Sequence, residues 1–182
     1  LFSATFDLRL KAVVSSCGFT PFPDYYGGKL AGWTSDRYMP RIRDVYQNDP
    51  AKVPFDFYEI VGGLAPRSFY SNSPIGDSNF DIGGVRKCFA EAARIFALHE
   101  VPSQLQLATP DVGHDFPPET RQQAYEFLDA QLKAALAKLI NPFGSATDKF
   151  AIHITAPDEE QEDHNQQVQA KKSGRELSAR DV

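Results

Sequence analysis

The sequence predicts an α/β protein in which a parallel sheet is flanked by helices. Three observations carry that expectation. Short apolar runs rich in small, β-branched or aromatic residues alternate with segments of helical periodicity. The run Leu10–Cys17 is apolar on both of its faces, as strands of parallel sheets are. The connections between runs are far longer than hairpin turns, so each strand is followed by a crossover rather than a reversal.

Taken in order, Leu1–Phe6 reads as the last turn of a helix, and Asp7–Arg9 as a polar turn. Leu10–Cys17 is the first strand, closed by Gly18. The composition then shifts over residues 18–66 to turn formers and aromatics, among them Pro21, Pro23, Tyr25, Tyr26, Trp33 and Tyr38. So many aromatic rings are costly to leave in water, which predicts an excursion packed over the domain. Arg37, Arg41 and Arg43 lie in it, either as solvated surface charges or as a pocket wall. Pro54–Leu64 is a short helix stopped by Pro66.

Arg67–Ser73 is the second strand, with Pro74–Gly76 its turn. Over Gly83–Glu100, Val85, Phe89, Ala92, Ile95, Phe96 and Leu98 recur at helical spacing and predict one buried stripe. Gln104–Thr109 alternates as a third strand. Pro117 and Pro118 suit a helix start, and Tyr125, Leu128, Leu132, Leu136 and Leu139 mark an apolar face running to about Ile140. Residues 1–140 thus form one domain. Residues 141–182 form an extension, with an edge strand at Lys149–Thr155 and then an acidic and a basic stretch almost without apolar residues, a composition that predicts disorder or a lone exposed helix.

A formal charge of −5 excludes a broad polyanion-binding face, and nucleic acid is not an expected partner. No apolar run reaches the roughly 18–20 residues a membrane span needs. Cys17 and Cys88 leave room for one bridge at most and lie in no metal or redox motif. The histidines His99, His114, His153 and His164 are scattered, and no glycine pair belongs to a phosphate loop, so neither a metal nor an organic cofactor is expected.

What remains is acid–base chemistry. In a parallel sheet the strand C-termini share one edge, where ligand sites form. Asp77 follows the second strand there, and His114, in Gly113–Asp115, follows the third. A histidine that takes a nucleophile's proton needs a carboxylate on its other nitrogen. Asp77 is the first choice for that carboxylate. Asp81 is the alternative acid, although its place at a helix start also suits a cap; Asp111 and Asp115 have similar structural roles open to them. No serine lies in Gly-x-Ser-x-Gly, the strained turn that exposes a nucleophile. Cys17, ending a strand before Gly18, is the lesser candidate nucleophile, since the upstream glycine and the following helix are both missing.

Leu10–Phe19, Gly32–Arg41, Asp77–Asp81 and Gly113–Pro118, in that order, together resemble the C-terminal half of α/β-hydrolase-fold serine esterases of the acetyl xylan esterase and dienelactone hydrolase groups. The likeness covers about residues 1–140. It implies a partial α/β-hydrolase fold whose N-terminal half, with the serine elbow and the oxyanion-hole donors, lies before Leu1. It also implies that Asp77 is the triad acid and His114 the general base, that the reaction passes through an acyl-enzyme, and that a small-molecule or carbohydrate ester is the substrate. This chain alone would then be inactive. Two other readings stay open: a hydrolase-derived binding module without catalysis, and part of a prolyl-oligopeptidase-type serine peptidase, which shares the acid and base order.

Overall fold

A computed structural model describes residues 1–139. The extension 141–182, with the expected strand Lys149–Thr155, His153 and His164, lies outside the described residues. Eight elements carry the architecture: α1 (Phe2–Phe6), β1 (Ala12–Ser16), α2 (Pro40–Asp44), α3 (Phe57–Gly62), β2 (Ser68–Asn72), α4 (Ile82–Leu98), β3 (Leu105–Ala108) and α5 (Pro118–Leu139). The three strands lie in the order β1-β2-β3, both pairings are parallel, and the register aligns Ser16 with Asn72 and Asn72 with Ala108. All three chains therefore leave the sheet at the same edge. Each strand is one or two residues shorter at its ends than its apolar run, because the ladder stops where the chains turn.

Helices cover both faces. Val13 and Phe69 point into a core built with α3, α4 and the aromatic excursion, whereas Ala12, Val14 and Tyr70 pack on Ala124, Phe127 and Leu128 of α5. Both faces of β1 and β2 are buried, which is why their sequences read as continuous runs. The excursion belongs to the core. Phe19, Phe22, Tyr25, Leu30, Ile42 and Phe57 are each almost fully buried, and Phe19 stacks on Phe57 at 5.2 Å between ring centroids.

Two helix faces differ from the sequence pattern. In α4 the buried stripe is Val85, Cys88, Phe89, Ala92 and Phe96, while Ile95 is 40% and Leu98 79% exposed. In α5 the sheet meets Thr120, Ala124, Phe127 and Leu128, and Tyr125 is 47% exposed. Helical periodicity allows neighbouring stripes on one cylinder, and the sheet selects between them. Arg43, for which the sequence left a solvated surface charge and a pocket wall both open, bonds Asp36, Asp44 and the Thr34 carbonyl at the surface. Cys17 and Cys88 are both free thiols and both buried.

Candidate active site

The parallel ladder does not end with the strands. Beyond Asn72 and Ala108 it continues as Ser73 N–H to Ala108 O, Ile75 N–H to Pro110 O and Gly76 N–H to Val112 O, at 2.9, 2.9 and 3.0 Å. These bonds draw the loop after β2 alongside the loop after β3 and deliver Asp77 and His114 to the same place. Gly76 is required at the closest approach, since a Cβ there would lie 2.8 Å from the Val112 carbonyl oxygen.

The pair is in hydrogen-bond contact. His114 Nδ1 lies 3.1 Å from Asp77 Oδ1 and 3.0 Å from Oδ2. An ionised carboxylate only accepts, so Nδ1 is the donor of this pair, and in the neutral imidazole that tautomer puts the lone pair on Nε2. Among the described residues Nε2 has no partner. The Asp77 side chain is 1% exposed and that of His114 18%, so the acid is sealed and the imidazole opens to solvent. Asp77 Oδ1 also accepts the Asn79 and Phe80 amides at 2.8 and 3.2 Å, which aim the carboxylate. The Phe80 ring lies against His114 at 5.9 Å and is backed by Tyr25 and Trp33, so the aromatic excursion braces the imidazole from behind.

The competing carboxylates lie elsewhere. Asp81 caps α4, accepting the Gly84 amide at 2.7 Å. Asp115 accepts the Phe116 amide at 2.7 Å, and Asp111 is exposed. Cys17 does enter the site: one donor atom from each of Cys17, Asp77 and His114 lies within 4.8 Å of the other two, a grouping of potential metal ligands that no sequence spacing announced. The grouping is already closed by hydrogen bonds, since Asp77 is taken by His114 and two amides, and the Cys17 thiol donates to the Asp115 carbonyl at 3.3 Å. Burial, followed by the charge of Asp77, pushes that thiol up to about 12. A nucleophilic cysteine is a thiolate with a lowered pKa, so the chemistry around Cys17 runs against the nucleophile reading.

Three polar neighbours were not found from the sequence. The Tyr26 hydroxyl donates to Asn79 Oδ1, and burial together with the nearby Asp77 charge raises the Tyr26 phenol. Asn72 is fully buried; its Nδ2 donates to Ser16 Oγ at 2.9 Å and to the Asp115 carbonyl at 2.8 Å. No motif marks these residues, because each is defined by a partner far along the chain. Ser71 and Ser73 share a buried hydroxyl–hydroxyl contact of 3.0 Å, and the His114 side-chain hydrogen bonds among the described residues are those to Asp77.

No family model and no curated protein matches the chain. Solved structures do. A carbohydrate esterase family 15 glucuronoyl esterase from Caldicellulosiruptor kristjansonii matches with a TM-score of 0.57 and 22% identity, over 84% of this chain and 44% of that one. A glucuronoyl esterase from Solibacter usitatus gives 0.55 and 18%, over 71% and 38%. The glucuronoyl esterase catalytic domain from Hypocrea jecorina gives 0.50 and 14%, over 87% and 46%. The chain spans less than half the length of each. In architecture it is a partial α/β-hydrolase fold, a three-stranded parallel sheet between helices, shared with these esterases.

Proposed function

We propose that this chain is the acid and base half of a serine carboxylic-ester hydrolase, with Asp77 as triad acid and His114 as general base. The observation that carries the reading is the sealed Asp77 carboxylate on Nδ1 of an imidazole whose Nε2 has no partner among the described residues. The nucleophile serine and the oxyanion-hole donors come from a segment outside this sequence. His114 Nε2 takes the serine proton as the oxygen attacks the ester carbonyl, and Asp77 stabilises the imidazolium that forms. The imidazolium then protonates the departing alkoxide, leaving an acyl-enzyme, and Nε2 next deprotonates the water that releases the acid. The glucuronoyl esterases that share the fold direct the substrate reading toward a carbohydrate ester, an ester of a sugar acid before a simple acetyl ester.

In a protein that joins this chain to its serine-bearing segment, His114→Ala lowers kcat by about 10⁴-fold or more, and Asp77→Asn by about 10⁴-fold by presenting the wrong tautomer. Hydrolysis of p-nitrophenyl acetate and of a glucuronate benzyl ester measures both effects and ranks the substrates. The 182-residue chain alone turns over neither ester faster than its His114→Ala variant. Clear His114-dependent turnover by the chain alone refutes the external nucleophile.

A further inference from the structure

Two side chains from different strand ends converge on one carbonyl beside the histidine. Asn72 closes β2, and its Nδ2 donates to the Asp115 carbonyl at 2.8 Å. The Cys17 thiol, directly after β1, donates to the same oxygen at 3.3 Å. The Cys17 amide in turn donates to the Asn72 carbonyl at 2.9 Å, which locks the two strand ends together, and Cys17 takes a positive φ of 48° there. His114 is thereby bracketed. Gly76 holds the Val112 carbonyl two residues before it, and Asn72 with Cys17 holds the Asp115 carbonyl one residue after it.

The orientation of the Asn72 amide is forced, because a carbonyl can only accept and the nitrogen must face Asp115. Nδ2 donates to the Asp115 carbonyl and to Ser16 Oγ, with the Cys17 sulfur a longer third contact at 3.8 Å, while Oδ1 is buried without a partner. A side chain present only to fill the core would be less costly without that stranded oxygen. The donors are therefore the part of Asn72 that this position uses.

We propose that Asn72 is a positioning residue: by holding the Asp115 carbonyl it sets the His114 ring against Asp77, with Cys17 as the second and weaker donor. The Asn72 side chain bonds Ser16, Cys17 and Asp115 rather than Asp77 or His114. Its consequence for catalysis rests on His114 being the general base, but the positioning does not, and it is measured without turnover.

The test is the exchange with water of the His114 Nδ1 proton in the isotope-labelled 182-residue chain at fixed pH, alongside the urea midpoint of each variant. Asn72→Ala speeds that exchange by about tenfold or more, since the bracket opens more often. Ser16→Ala removes the other oxygen partner of the same amide but leaves the Asp115 contact, and exchange stays within about twofold although stability falls. Unchanged exchange in Asn72→Ala overturns the proposal, as does equal acceleration in Ser16→Ala, which marks general loosening. If Asn72→Ala does not fold, the wild-type chain decides. The Asn72 side-chain protons and the His114 ring proton then share one opening rate as temperature rises, and a ring proton that stays protected while the amide exchanges overturns the proposal. Failure of the esterase reading leaves all these outcomes readable.

Discussion

Burial holds Cys17 and Cys88 as neutral thiols, each pushed up to about 12; desolvation is the larger cause in both, followed by the charges of Asp77 and Asp56 respectively. A thiol whose folded value lies above its unfolded value of 9.0 contributes stability that is complete below about pH 9 and is lost as pH rises toward 12. The urea midpoint of the chain therefore falls between pH 9 and about 10.5. The Cys17→Ala, Cys88→Ala double variant falls less steeply over the same range. Equal slopes would show that the thiols ionise inside the fold. At this scale the contact between Asp77 and His114 was legible in the sequence, because residues that follow strands of a parallel sheet gather at one edge. Asn72 was not, since its role depends on a carbonyl supplied 43 positions later.

Helix existence and helix orientation separate cleanly at the scale of elements. The periodicity identifies α4 to within two residues at either end and the start of α5 to within one, yet the sequence stripe places Tyr125 on the buried face of α5 where the sheet takes Phe127. Phe127 packs on Tyr70 at 5.6 Å between rings, next to Val14 and Leu128. Phe127→Ala consequently costs about 3–5 kcal/mol in urea denaturation, whereas Tyr125→Ala stays within about 1 kcal/mol. The reverse ranking would turn α5 about its axis. The cap at Asp81 was easier to read, because a cap is local: it satisfies an amide three residues away. The reciprocal capping box of Asp56 and Glu59 on α3 is equally local but was not read from the sequence.

Across the whole molecule, the aromatic excursion joins the sheet to the wall of the site. Phe19 sits at the junction, with its ring against Phe57 of α3 at 5.2 Å, Phe69 of β2 at 6.2 Å and Phe89 of α4 at 6.4 Å. Arg67 adds a polar tie, with Nη1 donating to the carbonyls of Ala4, Asp7 and Leu10 and so fastening α1 and the turn after it to the entrance of β2. Phe19→Ala is expected to cost about 3–5 kcal/mol in a single cooperative urea transition. A cost below about 1 kcal/mol, or a separate early transition, would mean that the excursion folds apart from the sheet.

By itself the sequence determined the class of fold, the parallel strands, the edge at which they end, and the Asp77 and His114 candidates. All of these follow from apolar periodicity and chain order, which are local properties. Only the tertiary structure decided which helix stripes are buried, that Cys17 stays a neutral thiol, and that Asn72 reaches the carbonyl after His114. Those outcomes depend on desolvation and on partners distant in sequence, and neither exists until the sheet, the excursion and the helices have closed on one another.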